Sequence, residues 1–158
     1  MIQIAVLGCG RIGRVHAVTL TTMPGARLAA VSDAMPAAAA DLATMTGAPA
    51  RSVDEIMADP AIDAVVIGTP TDTHLGLIEA AASAGKAILC EKPVDMSVER
   101  IERARRGVEA AGVPFMTAFN RRFDPHNAAL ASRLRAGEIG PVETVTIISR
   151  DPSPPPLD

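Results

Sequence analysis

Tryptophan and tyrosine are absent from the sequence, and only three phenylalanines occur among its 158 residues. A single-stranded nucleic-acid surface needs aromatic platforms among its basic residues, so no nucleic-acid partner is expected. Residues 99–135 do carry eight arginines against four acids. With no Trp or Tyr and only three Phe in the chain, these read as a solvated helix face plus a few site arginines. The net charge of −3 favours neither a polyanion nor a membrane surface. Cysteine is scarce as well. Cys9 and Cys90 make no spacing motif, which argues against a disulfide framework and for a reducing compartment; each reads as a small buried residue. No apolar run approaches the roughly 18 residues that span a bilayer. The N-terminus shows neither a basic n-region nor a cleavage site, so no signal peptide is expected and the cytoplasm is the expected location. His16, His74 and His126 lack metal-ligand spacing and cysteine partners, so no metal site is expected. A serine nucleophile elbow is missing too.

What is present has the composition of a globular protein, 48% hydrophobic and 21% charged, at the length of one ordinary domain. Short apolar runs alternate with longer amphipathic stretches. Strands are expected at Ile2–Leu7, Leu28–Val31, Ala64–Ile67, Ala87–Cys90, Val113–Ala118 and Val142–Ser149. Helices are expected at Ile12–Leu20, Pro36–Thr46 with Gly47 as its stop, a short one capped by Ser52 or Asp54, Thr73–Ala84, and Val98–Ala111 between Ser97 and Gly112. A last helix starts at Asp124-Pro125 and runs to about Ala136. Strands alternating with helices imply βαβ units and a parallel sheet covered on both faces. The fold class is therefore α/β, with a doubly wound parallel sheet of Rossmann type.

Gly8-Cys9-Gly10-Arg11-Ile12-Gly13 is a G-x-G-x-x-G that directly follows the first strand and opens a helix. Asp33 lies 20 residues beyond Gly13, at the end of the second strand. Together these make the dinucleotide-binding fingerprint. Gly8 permits the tight turn, Gly10 lets backbone approach a pyrophosphate, and Gly13 lets helix pack on sheet. Arg11 and Ile12 contribute helix-start amides that face the anion. Asp33 can accept hydrogen bonds from the adenosine ribose and would repel a 2′-phosphate, which predicts NAD over NADP. It could also cap the helix Pro36–Thr46, and the two roles are compatible.

Ligands of a doubly wound sheet sit outside the carboxyl ends of its strands. Three strand ends carry unusual residues: Gly68-Thr69-Pro70-Thr71-Asp72-Thr73-His74, Glu91-Lys92-Pro93, and Asn120-Arg121-Arg122-Phe123-Asp124-Pro125. Lys92, tethered between a strand and a proline near a cationic ring, could have a lowered pKa suited to proton traffic with a hydroxyl; a solvated surface lysine is the alternative. His74 could touch the cofactor or hydrogen-bond locally, and the local role is favoured. His16 reads as packing and His126 as exposed. Phe115 reads as core, while Phe119 and Phe123 could line the site or pack a second domain.

Taken together, Gly8-Cys-Gly-Arg-Ile-Gly13 with His16-Ala17, Thr69-Pro70 with His74, Glu91-Lys92-Pro93, and Phe119-Asn120-Arg121-Arg122-Phe123-Asp124-Pro125 resemble the Gfo/Idh/MocA oxidoreductase family over the whole chain. Ser149-Arg150-Asp151-Pro152 and the proline run after it resemble its inositol dehydrogenase branch. The resemblance implies an NAD-dependent dehydrogenase acting on a CH–OH group of a cyclic polyol or sugar. It makes Lys92 the active-site lysine, touching the substrate hydroxyl, with a Lys-Pro bond that is often cis. It places Thr69, Pro70, His74, Glu91 and Asn120 along the cofactor site. Family members are about twice this length, the usual two-domain size, and form dimers or tetramers through a C-terminal open sheet. Residues 1–120 are then the NAD-binding domain, and 121–158 only begin a truncated C-terminal α/β domain. The catalytic Asp and His of the family would lie beyond residue 158. Loss of a general base costs about 10²–10⁴-fold, so the 158 residues are expected to bind NAD and turn over negligibly. A non-catalytic NAD-binding module, another sugar or sugar-phosphate dehydrogenase of the family, and a partial gene product remain as alternatives.

Overall fold

The structure is a computed structural model, and it describes residues 1–150. The chain separates into two compact units, one spanning Met1–Phe119 and one beginning at Asn120. The first unit runs β1 (Ile2–Leu7), α1 (Arg11–Thr22), β2 (Ala26–Ser32), α2 (Pro36–Thr46), α3 (Val53–Ala58), β3 (Ala64–Ile67), α4 (Thr71–Ser83), β4 (Ala87–Cys90), α5 (Val98–Ala111) and β5 (Phe115–Thr117). Its strands form one sheet in the order β2-β1-β3-β4-β5, and every pairing is parallel. The chain leaves β1 toward β2 on one side and later returns to pair β3 on the other. That reversal puts a topological switch point beside β1, where a doubly wound sheet holds its ligand.

A further strand position exists beyond β2, reduced to one residue. Ala50 makes an isolated parallel bridge with Val31. The Val31 amide donates to the Pro49 carbonyl and the Arg51 amide to the Val31 carbonyl, both at 3.0 Å. Counted as a strand, this bridge turns the order into the 3-2-1-4-5-6 arrangement of a Rossmann sheet.

Alternation along the strands builds two cores, one on each face. Ala5, Leu7, Val65, Ile67, Ile88 and Cys90 point to the face covered by Leu75 and Ile78 of α4 and by Ala104 and Val108 of α5. Val6, Leu28, Val31 and Val66 point to the other face, against Ala17 and Leu20 of α1 and Leu42 of α2. Local chemistry ends these helices where the sequence indicates. Ser52 and Glu55 form a capping box at α3. The Ser97 hydroxyl accepts from the Arg100 amide at α5, and Gly47 and Gly112 take left-handed conformations at the ends of α2 and α5. Three of the four arginines of α5 are paired: Arg100 with Asp95 before the helix, Arg103 with Glu79 of α4, and Arg105 with both Glu102 and Glu109.

Cover is incomplete on the α1 face, contrary to the expectation of a sheet sheathed on both sides. An apolar groove of about 320 Å³ lies there, lined by Leu20, Met23, Val66, Leu89 and Met116 among others, and no element of the first unit fills it. In the second unit, a 3₁₀ turn (Asn120–Phe123) leads to α6 (Pro125–Arg135), whose first amides donate to the Asp124 carboxylate. The strand expected at Val142–Ser149 does not form: residues 142–149 have no regular structure and are exposed. Alternating apolar residues give β tendency, but a strand also needs a neighbour to take its backbone hydrogen bonds, and the described residues offer none. Residues 151–158, which hold the Asp151-Pro152 part of the branch resemblance and the proline run, lie outside the described residues.

Candidate functional site

Four exit loops leave the sheet in step. The Gly8 amide donates to the Ser32 carbonyl, Gly68 to Leu7, Glu91 to Ile67, and Ala118 to Cys90, at 2.8, 2.8, 2.9 and 2.8 Å. Each loop thus begins by bonding to the end of a neighbouring strand. The glycine loop, the Thr69 loop and the Lys92 loop therefore share one rim, at the carboxyl ends of the strands.

The glycine loop is fixed by backbone sterics. Gly8 has φ +97°, and a Cβ there would stand 2.6 Å from the Gly68 carbonyl oxygen. A Cβ on Gly13 would stand 1.8 Å from the Gly8 oxygen. Neither position admits a side chain. Gly10 differs: a Cβ there would meet nothing within 4 Å, so the space it leaves open faces away from the protein. It is the N-cap of α1, and neither a side-chain cap nor an acid occupies that helix start. Free amides and the positive end of a 12-residue helix suit a diphosphate. Arg11 is exposed and Ile12 half-buried at this start, with the Ile12 side chain against Gly68.

Asp33 reaches back from the end of β2. One carboxylate oxygen accepts from the Cys9 amide at 2.6 Å, and the other from the Met35 amide at 2.8 Å. The N-cap of α2 is Met35, without a side-chain cap, so Asp33 does not cap that helix; it makes a turn two residues earlier. A carboxylate has about four acceptor positions, and two remain for ribose hydroxyls. Burial, then the Asp33 charge, pushes the Cys9 thiol up to about 11. Burial, then Glu91, pushes Cys90 up to about 12. Both therefore stay protonated and neither is a nucleophile.

The Glu91-Lys92-Pro93 loop is held by side chains. His16 Nε2 of α1 lies 2.8 Å from Glu91 Oε1. His74, 1% exposed, places Nδ1 3.0 Å from the Pro93 carbonyl and Nε2 2.9 Å from the Thr69 carbonyl. Asp95, also buried, receives Arg100 Nε at 2.7 Å. The Lys92–Pro93 peptide is cis. The chain has two lysines. Lys86 is buried, its amine donating to the carbonyls of Asp59 and Ile62 at 2.8 and 2.9 Å. Lys92 is exposed, with no hydrogen bond to its amine among the described residues.

Sequence reasoning took His16 for packing; it holds Glu91, a pairing 75 positions apart that spacing cannot reveal. It also missed Gly68, whose close approach to Gly8 is visible only once β1 and β3 are known to be neighbours. Pro70 is the exposed N-cap of α4. Asn120 opens the second unit and is exposed. Phe115 is half-buried against the core, whereas Phe119 and Phe123 are exposed.

A parallel sheet wound both ways from a glycine turn, with an acid at the tip of the second strand, defines a Rossmann domain of the dinucleotide-binding class. The model of the Gfo/Idh/MocA oxidoreductase family, an NAD-binding Rossmann fold, matches residues 2–119, and the chain belongs to that family. An inositol 2-dehydrogenase of Rhizobium meliloti (strain 1021) is 52% identical over 157 residues, covering 99% of this chain and 48% of the relative. The crystal structure of a proposed myo-inositol dehydrogenase from Sinorhizobium meliloti 1021 superposes with a TM-score of 0.96 at 51% identity, over 99% of this chain and 47% of that one. That of scyllo-inositol dehydrogenase from Lactobacillus casei, with bound NAD(H) and scyllo-inositol, gives 0.83 at 31% identity, over 89% and 42%. The chain thus spans about half the length of the relatives it matches.

Proposed function

We propose that this chain is the NAD-binding part of an oxidoreductase that oxidises a CH–OH group of a cyclic polyol, inositol foremost. One observation carries the reading: the start of α1 is uncapped and Gly10 faces open space, while Asp33 stands 2.6 Å from the adjoining Cys9 amide. The amides of Arg11, Ile12 and Gly13 take the diphosphate, and Asp33 takes the adenosine ribose. Bound NAD supplies the hydride acceptor. Thr69, Pro70 and Glu91 bound the nicotinamide end of the rim, and Asn120 joins them in the whole protein. Lys92 contacts the substrate hydroxyl and helps move its proton.

The inositol substrate is supported by what the relatives are called and by the Glu91-Lys92-Pro93 loop at the rim. Residues 121–158 then begin the substrate and oligomerisation domain of a cytoplasmic dimer or tetramer. The exposure of Ile139, Val145, Ile147 and Ile148 supports a surface that a larger assembly covers.

Calorimetric titration of the chain with NADH and NADPH tests the cofactor. NADH is expected to bind at least about tenfold more tightly, because setting a 2′-phosphate against Asp33 costs more than the ~1.4 kcal/mol of one decade. Equal or tighter NADPH binding would overturn the assignment.

A further inference from the structure

We propose that His74 is the positioning residue for Lys92, acting through the Pro93 carbonyl rather than through the nucleotide. The role of Lys92 itself rests on the function proposed above. The buried face of α4 otherwise holds Leu75, Ile78, Ala81 and Ala82, and an apolar side chain at residue 74 would pack there without directional demands. A histidine makes two such demands. Its Nδ1 meets the Pro93 oxygen at 3.0 Å and its Nε2 the Thr69 oxygen at 2.9 Å. Both oxygens only accept and a neutral imidazole carries one N–H, so the neutral ring donates to one carbonyl at a time. In the proposed clamp that hydrogen sits on Nδ1, toward Pro93, while Nε2 lies against the Thr69 oxygen, and neither nitrogen is free for a ligand.

The two carbonyls belong to the loops that flank the rim after β3 and β4. Pro93 follows Lys92 directly. On its other side Lys92 is flanked by Glu91, held by His16, and two residues beyond Pro93 stands Asp95, held by Arg100. Residues 91, 93 and 95 are thus pinned to α1, α4 and α5 in turn, while the Lys92 amine has no anchor of its own among the described residues. The direction of the lysine is therefore set by its neighbours, and of His16, His74 and Arg100 the most deeply buried is His74.

The two ring nitrogens can be separated by substitution. Asparagine places an N–H near the position of Nδ1, and glutamine near that of Nε2. His74→Asn therefore keeps an N–H toward Pro93, His74→Gln places one toward Thr69 instead, and His74→Leu offers neither. Amide hydrogen exchange across residues 91–94 of the full chain reads the loop without nucleotide. The Gln and Leu variants are expected to raise exchange about tenfold, the factor for one lost hydrogen bond of about 1.4 kcal/mol, with the Asn variant close to the unsubstituted chain. A merely structural histidine would not separate Asn from Gln. Equal exchange in those two variants, or unchanged exchange in the Leu variant, would overturn the proposal. If the Leu variant does not fold, the Asn and Gln pair decides alone.

A second measurement separates this inference from the reading it rests on. Acetylation of Lys92 by an N-hydroxysuccinimide ester, read by peptide mass spectrometry, has the amino group of exposed Met1 as its internal reference. With NAD at about ten times its dissociation constant, a shielded Lys92 reacts about tenfold more slowly. Shielding that survives His74→Asn and is lost in His74→Gln supports the clamp. Absence of shielding in the unsubstituted chain overturns the proposed role of Lys92, while the exchange result still judges the clamp by itself.

Discussion

The glycine loop and the Lys92 loop stand on the same rim and are built by opposite means. The first is shaped by backbone against backbone: Gly8 against Gly68, and Gly13 against Gly8. The second is shaped by side chains reaching from three helices: His16, His74 and Arg100. Contacts between backbones leave no room for adjustment, because packed interiors do not yield by the ångström or more that a methyl would demand. Contacts through side chains can be lost one at a time. The difference teaches that the nucleotide end of the site is rigid by construction, whereas the lysine end is adjustable.

Substitutions can break or sharpen this contrast. The largest effect is expected at Gly13→Ala, whose Cβ would fall 1.8 Å from the Gly8 oxygen. A loss of about 3 kcal/mol or more is expected, lowering Tm by roughly 10 °C. Calorimetry that finds the variant as stable as the parent would remove the steric account of this loop. Asp33→Ala is expected next. It deletes a charged acceptor, and NADH binding should weaken about 10- to 100-fold, the range for a hydrogen bond to a charged group. Preference over NADPH should disappear with it, which parallel titrations would show.

The smallest effect concerns the pin farthest from the rim. The Arg100 guanidinium beside Asp95 holds its carboxyl below the ordinary 3.8, with the Ser97 amide adding to the effect and burial opposing it. A carboxylate lowered on folding contributes stability that is present above its unfolded value and is lost as pH falls through the folded one. The stability gap between the parent and Arg100→Met should therefore be constant near neutrality and shrink below about pH 3.8. Urea melts across pH would show it. A gap that widens in acid would mean that Asp95 is not held by this arginine.

The parts of the molecule that were legible in the sequence follow the same division. Gly8, Gly10, Gly13 and Asp33 announce themselves, because steric necessity leaves few residue types possible and fixes their spacing along one βαβ unit. Ser97, Gly47, Gly112 and Asp124 were readable for the same reason, since helix ends impose chemistry within four residues. His16, Gly68 and the bridge at Ala50 were not readable, because each depends on a partner brought near by topology alone. Val142–Ser149 misled for the complementary reason: its β tendency is local, but a strand exists only with a neighbour. His74 was placed by its motif, yet its two carbonyl partners, Thr69 and Pro93, emerge only when the loops after β3 and β4 lie side by side.

The central claim is that the open helix start at Gly10 and the carboxylate of Asp33 grip one dinucleotide between them. A crystal structure of the chain with NAD tests it most directly. The account predicts the diphosphate on the amides of Arg11, Ile12 and Gly13, with the adenosine ribose hydroxyls on Asp33. A nucleotide lying instead in the apolar groove between α1 and β5, or a diphosphate away from α1, would contradict it.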